Sequence, residues 1–214
     1  LTVDGSICTG ACVCAALLLN GVNIYICLIL SFLAGALAGF VTGIFHTGMG
    51  IPPILSGILT QLILWSLNLK ILGKANAAIS SRNYDVIITQ LNIPMAILVS
   101  ALFCIGVIGI LYLFFGTELG CALRATGDNE KMSNAQGINV KLCKVLGLMI
   151  SNGIVALSGA LLAQYQGFAD INMGRGAIVI GLAAIIIGQT IVSKISTNFA
   201  LQLFGAALGG IAYY

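Results

Sequence analysis

Long apolar stretches alternate with short polar segments along most of the chain. The stretches cover approximately residues 5–19, 24–45, 51–69, 94–115, 145–163, 176–192 and 199–214. A bilayer core of about 30 Å needs roughly 20 helical residues, a length that the second and fourth stretches reach outright. The pattern predicts an all-α, polytopic bundle with about seven membrane spans.

Small residues recur at helical spacing within two of these stretches. Gly35, Gly39 and Gly43 follow one another at intervals of four, and so do Gly205 and Gly209. In lipid this spacing allows two helix backbones to approach closely. We therefore predict tight helix packing at these positions; a place along a substrate path is the alternative.

Seven of the fifteen charged residues lie in one interval, residues 118–144, which we call the charged segment. Within it, Asp128 is predicted to cap a helix of about two and a half turns that Gly137 ends. Asn139 is predicted to cap the helix that enters the next span. A short helix held between two spans can transmit a push to both of them. The alternative is an ordinary solvated turn.

The composition supports a membrane protein. Hydrophobic residues make up 59% of the chain and charged residues 7%, and the mean hydropathy is +1.10. A soluble core cannot bury that much apolar side chain. The net charge of +3 is too small and too dispersed to indicate a nucleic-acid partner.

Neither metal binding nor catalysis is predicted for this chain. The cysteines in apolar surroundings (Cys8, Cys12, Cys14, Cys27 and Cys104) lack His or carboxylate neighbours and are expected to pack between helices. The sequence holds no phosphate-binding Gly-x-x-x-x-Gly-Lys loop and no nucleophile elbow. We expect no enzyme activity and no cofactor in this chain.

Uncharged polar residues within the spans are candidates for a translocation path. They are Gln61, Ser66, Asn68, Ser151, Asn152, Ser158 and Gln189. Each can instead bond a neighbouring helix. Ionisable residues are missing from the interiors of the predicted spans, which argues against coupling of transport to protons. Coupling to sodium ions bound by backbone carbonyls remains an alternative.

The lysines and arginines specify orientation only weakly. A cytoplasmic charged segment places five of them inside (Arg124, Lys131, Lys141, Lys144 and Lys194). The other four would then lie outside (Lys70, Lys74, Arg82 and Arg175). This difference is small but has the sign of the positive-inside rule.

Several motifs resemble the permease subunits of bacterial ABC importers, in the group that includes branched-chain amino acid and ribose permeases. They are the run at 123–139, which begins Leu-Arg-Ala-Thr-Gly-Asp-Asn-Glu, and Gly-Leu-x-x-Ser-Asn-x-x-Val-Ala-Leu-Ser-Gly-Ala-Leu at 147–161. Further stretches lie at 46–60, 66–69, 164–176 and 181–188. The likeness is strongest to Gram-positive permeases that work with substrate-binding lipoproteins. Met132, Ser133 and Asn134 depart from the family's Ala-rich stretch.

The resemblance implies a transmembrane permease of an ATP-driven importer in the plasma membrane, moving an amino acid or related solute by alternating access. Its cytoplasmic coupling loop, at about residues 116–144, would contact the ATPase. The implied coupling residues are Arg124, Gly127, Asp128, Asn129, Glu130, Ala135 and Gly137. Cytoplasmic ATP-binding subunits, a second permease copy as a homodimer and an extracellular substrate-binding protein would be partners, with ATP used by the partner subunit.

Residues 1–214 are expected to form one permease domain that is a fragment of a longer protein. A self-sufficient channel or an ion-coupled secondary transporter remains the alternative function, and a non-transporting membrane scaffold is a third.

Overall fold

The computed structural model describes residues 2–79, 93–192 and 199–213. Its helices are α1 Val3–Leu19, α2 Ile24–Thr47, α3 Pro53–Leu72, α4 Ile93–Phe115, α5 Glu118–Asp128, α6 Glu130–Ala135, α7 Val140–Gln166, α8 Ala177–Val192 and α9 Phe199–Tyr213. Two short strands, β1 Asn76–Ala78 and β2 Phe168–Asp170, complete it. The cations Arg82 and Lys194 lie outside the described residues.

All the predicted apolar stretches contain a helix, which confirms the all-α fold. Within the described ranges, α2, α3, α4 and α7 are long and apolar enough to cross a bilayer, while α1, α8 and α9 are apolar but shorter. Helix α7 begins at Val140, where the side chain of Asn139 caps its first turn as predicted.

Helices α1, α2, α3 and α7 pack into the central bundle. The predicted glycine packing in α2 is confirmed: a Cβ on Gly35 would come within 2.5 Å of the Asn152 carbonyl oxygen, and one on Gly39 would overlap the carbonyl of Leu148. Gly43 likewise lies against Val145. The small residues therefore let α2 and α7 touch backbone to backbone.

Helices α8 and α9 form a second close pair. The carbonyl of Gly205 lies against Gly188, and the carbonyl of Ala184 lies against Gly209. The predicted packing role of the glycines in α9 is confirmed, and α8 supplies the partner surface.

The chain folds back after α7 rather than running straight out. Gly167, with φ +74°, ends α7 in the left-handed conformation. Strand β2 then pairs antiparallel with β1, placing Ala169 opposite Ala77. The stretch at 164–176 is divided between the end of α7, where Gln164 is 1% exposed, and the connection that follows.

The outer surface suits lipid. On α4, Leu102 and Leu113 are 70% and 73% exposed. Four of the five cysteines named above are buried against other helices, as predicted (Cys8, Cys12, Cys14 and Cys27). The packing role is wrong for Cys104, which is exposed on α4.

Candidate functional site

The charged segment folds as two short helices, α5 and α6, followed by the start of α7. Asp128 does not cap α6: it is the last residue of α5, and Asn129 takes the cap. The side chain of Asn129 accepts hydrogen bonds from the backbone N–H groups of Lys131 and Met132, both at 3.1 Å. The prediction missed α5, whose own cap at Thr117 starts a helix that runs through Asp128.

The predicted helix of about two and a half turns is shorter in the structure, since α6 has 6 residues, but its predicted end and the next predicted cap are confirmed. Gly137 has φ +83°, the left-handed conformation that ends helices. The side chain of Asn139 accepts a hydrogen bond from Leu142 N–H at 3.2 Å and so starts α7.

Packing joins α5 and α6 to the helices on both sides. Gly120 lies against the backbone of Phe115 at the end of α4, and Leu123 packs against Gly147 of α7. An ion pair of 2.7 Å connects Glu130 of α6 to Lys144 of α7. A displacement of α5 and α6 therefore acts on α4 and α7.

The residues predicted to couple to an ATPase share one property, which is that they are exposed. They are Arg124, Gly127, Asp128, Asn129, Glu130, Ala135 and Gly137. Met132, between them, is 59% exposed, whereas Thr126 and Ser133 are buried beneath them. The structure thus brings the predicted residues together on one short segment, and their contact with a partner stays a prediction.

A cavity of about 430 Å³, the Thr42 cavity, lies between this segment and the helix bundle. Thr42 and His46 of α2, Ser56 of α3 and Thr126 of α5 are among its lining residues. The Nδ1 atom of His46 lies 2.9 Å from the carbonyl oxygen of Ile51, within hydrogen-bond distance. The end of the bundle next to the charged segment is therefore open and partly polar.

A hydrogen-bond network lies deeper, at Asn152 near the middle of α7. Its Oδ1 accepts from Thr2 Oγ1 at 3.2 Å and from Ser6 Oγ at 3.1 Å, and Thr2 Oγ1 lies 3.3 Å from Thr42 Oγ1. All four side chains are buried. Thr42 belongs both to this network and to the wall of the Thr42 cavity.

A second polar cavity, of about 210 Å³, lies at the other end of α3 and is called here the Asn68 cavity. Among its walls are Asp4 of α1, Gln61 and Asn68 of α3, and Arg175 from the connection before α8. Two of the predicted path residues, Gln61 and Asn68, therefore meet at one site.

The remaining path candidates are dispersed. Ser66 and Gln189 are exposed on the outside of α3 and α8, and Ser151 is half-buried. Ser158 donates to the carbonyl of Val155 at 2.7 Å and lines a separate groove of about 360 Å³ beside α4. Asn152 bonds neighbouring helices, as the alternative reading expected.

Asp4 is a polar residue that sequence reasoning missed. Its carboxylate accepts hydrogen bonds from the backbone N–H groups of Gly176 at 3.2 Å and Ile178 at 3.0 Å, at the start of α8. Its position just before the predicted first span was the available signal. The sequence held no such signal for Thr2, Ser6 and Thr42, because isolated hydroxyls are common in membrane helices.

The whole chain, residues 1–214, matches the family described as "Branched-chain amino acid transport system / permease component". The chain belongs to this family. Family members are transport components rather than enzymes. Because the family is one of permeases and several described helices are long and apolar enough to cross a bilayer, the chain is a multi-pass membrane protein, as predicted.

Individual relatives agree with this assignment. The chain is 43% identical over 195 residues to a tyrosine transport system permease protein of Clostridioides difficile (strain R20291), covering 91% of this chain and 64% of the relative. It is 36% identical over 215 residues to the uncharacterized protein RP368 of Rickettsia prowazekii (strain Madrid E), covering 100% and 75%. It is 27% identical over 216 residues to the autoinducer 2 import system permease protein LsrC of Escherichia coli (strain K12 / DH10B), covering 96% and 59%.

The chain thus spans 64% of the length of the tyrosine permease it matches. No solved structure matches it.

Proposed function

We propose that this chain is the permease subunit of an ATP-driven importer of a small solute. The observation that carries the proposal is the exposed, capped α5–α6 segment, packed on both α4 and α7 at the end of the bundle that holds the Thr42 cavity. Membership of a transport permease family supports the same conclusion.

The proposed mechanism is alternating access driven from the charged segment. Closure of two cytoplasmic ATPases pushes α5 and α6, and Glu130 and Leu123 transmit that push to α7. Helix α7 carries Asn152, whose side chain accepts a hydrogen bond from Thr2 at the start of α1. The hydroxyl of Thr2 lies in turn within hydrogen-bond distance of the hydroxyl of Thr42 on α2. A shift of α7 relative to α2 and α3 changes the width of the Thr42 cavity, because residues of all three helices line it and packed helices move as rigid units.

An amino acid or a related compound is the proposed solute. Two relatives are named for the transport of tyrosine and for the import of autoinducer 2, and both of these solutes are small polar molecules. The proposed assembly contains a second permease copy as a homodimer, two cytoplasmic ATP-binding subunits and an extracellular substrate-binding protein.

Reconstitution tests the function directly. The full-length permease is placed in vesicles with its ATPase and binding protein, and uptake of labelled tyrosine is measured with and without ATP. Uptake that requires ATP and the ATPase supports the proposal. Uptake by the permease alone, driven by an ion gradient, would contradict it and favour a secondary transporter; no movement under either condition would favour a scaffold.

A paired variant tests the role of the charged segment. Arg124→Glu together with Gly137→Val reverses an exposed charge and forces a branched residue into a left-handed position. We expect loss of ATPase co-purification and of ATP-driven uptake. Lys74→Glu is the matched control, since it reverses an exposed charge outside the coupling loop. Full transport by the paired variant would contradict the docking role.

The exposed thiol of Cys121 in α5 reports the orientation without an added residue. A membrane-impermeant maleimide is expected to label Cys121 only after cells are opened. Cys121→Ser is the control for the remaining cysteines; Cys104 faces outward from the middle of apolar α4, where lipid shields it. Labelling of Cys121 in intact cells would place the segment outside and overturn the proposal.

A further inference from the structure

Asn68 is the most unusual polar residue in the bundle. Its side chain is completely buried one turn before the end of α3, and within the described ranges neither Nδ2 nor Oδ1 has a hydrogen-bond partner. A buried amide left in that state costs about 1–3 kcal/mol. An unpartnered buried group in a native protein calls for an explanation, and a ligand in the Asn68 cavity, which Asn68 lines, would complete its bonds.

The other polar groups around this cavity carry opposite charges. The carboxylate of Asp4 has two hydrogen bonds from backbone N–H groups, which leaves about two of its four lone-pair positions for another donor. Arg175, on the facing connection, is exposed and has no ion pair with any residue that the structure describes. A guanidinium binds a carboxylate through two parallel hydrogen bonds.

The remaining wall is suited to an aromatic or apolar group. The indole of Trp65 lines the cavity beside Leu62, and Gln61 adds a second amide. The volume of about 210 Å³ is below the range of about 300–1,000 Å³ that is typical of pockets for drug-sized ligands, so the cavity suits a smaller molecule.

We propose that the Asn68 cavity is a binding subsite for a zwitterionic α-amino acid. The ammonium group of the ligand bonds Asp4 and the Asn68 oxygen, its carboxylate bonds Arg175 and the Asn68 amide N–H, and its side chain lies against Trp65. An uncharged polyol offers no opposite charge to either Asp4 or Arg175, and therefore fits worse. This inference rests on the proposed function, because it locates that solute within the permease.

Direct binding to the full-length permease in nanodiscs tests the subsite without ATP. The probes are L-tyrosine, tyramine, which lacks the carboxylate, and 3-(4-hydroxyphenyl)propionate, which lacks the amine. We expect L-tyrosine to bind at least about tenfold more tightly than either analogue, because each analogue leaves one charged group of the site unpaired. Equal binding of all three, or no binding of L-tyrosine, overturns the proposal.

Asn68→Leu separates recognition from folding. Replacing the amide by an apolar group of similar size is expected to weaken L-tyrosine binding about tenfold while leaving the unfolding temperature unchanged or higher, because the cost of burying the amide is removed. Ser66→Ala, two residues away and exposed, is the matched control with unchanged binding. Wild-type affinity in Asn68→Leu, or a fall in affinity that only follows a fall in unfolding temperature, overturns the assignment.

Arg175→Gln tests the carboxylate arm. It is expected to weaken L-tyrosine about tenfold and to leave tyramine unchanged, whereas the control Lys74→Gln, an exposed cation outside the cavity, changes neither. Equal losses of affinity for L-tyrosine and tyramine would contradict the assignment of Arg175 as the partner of the ligand carboxylate.

The two proposals fail separately. ATP-driven uptake that is unaffected by Asn68→Leu removes the subsite and leaves the importer. Binding of L-tyrosine without any ATP-driven uptake removes the importer and leaves the subsite.

Discussion

Ser6 on α1 donates a hydrogen bond of 3.1 Å to the side-chain oxygen of Asn152 on α7, across 146 residues of sequence. Both side chains are completely buried. The same oxygen accepts from Thr2, the residue before α1, so one amide on α7 holds two hydroxyls at the start of α1. In a lipid environment such bonds matter because neither group can turn to water instead.

Asn152→Leu is expected to destabilise the bundle by about 1 kcal/mol, since interhelical hydrogen bonds in membranes contribute about 0.6–1.7 kcal/mol. The free energy of unfolding in mixed detergent micelles measures this. Ser158→Ala, which removes an exposed hydroxyl bonded within its own helix, should change stability by less than about 0.5 kcal/mol. Equal effects from the two variants would show that Asn152 holds nothing together.

Asp4→Leu is expected to loosen the start of α8. The carboxylate occupies the place of a capping side chain for Gly176 and Ile178, and loss of a cap costs about 0.5–2 kcal/mol. Asp4→Asn retains an accepting oxygen and should lose less than Asp4→Leu. Hydrogen exchange of the first turn of α8 measures the change, and unchanged protection in Asp4→Leu would refute the capping role.

Gly39→Ala should separate α2 from α7. A Cβ at this position would lie 2.7 Å from the carbonyl carbon of Leu148, and such overpacking costs about 1–3 kcal/mol. Gly106→Ala is the control: beyond the backbone of its own helix, no described atom lies within 4 Å of its Cβ position, and alanine is about 1 kcal/mol better than glycine in a helix. Gly39→Ala is therefore expected to lower the unfolding temperature relative to wild type, and Gly106→Ala is expected to raise it. A stable Gly39→Ala protein would contradict the backbone contact.

The Glu130–Lys144 ion pair should contribute little to stability despite its 2.7 Å length. The side chains are 57% and 26% exposed, and exposed pairs contribute about 0.2–1 kcal/mol. A double-mutant cycle with Glu130→Gln and Lys144→Gln measures the coupling energy, which should fall when salt is raised from 0.01 M to about 1 M. A coupling above about 2 kcal/mol that ignores salt would show that the pair is desolvated.

The helical capping of the charged segment was largely readable from local residues. Gly137 and Asn139 act as predicted because a left-handed glycine and an Asn cap depend on only a few neighbouring positions. Asp128 was assigned wrongly because α5 was not recognised. Its cap at Thr117 is a local signal that the prediction overlooked, whereas the packing of Leu123 against Gly147 of α7 is a contact that only the fold supplies.

The sequence by itself determined that this protein is a membrane-embedded helical bundle with one charged segment, because apolar length and glycine spacing act within each helix. Only the tertiary structure decided which polar residues meet. Asp4, Asn68 and Arg175 lie far apart along the chain, and the fold-back after α7 brings them to one cavity. Ser66 and Asn68, two residues apart, point to opposite environments because a helix turns about 200° between them.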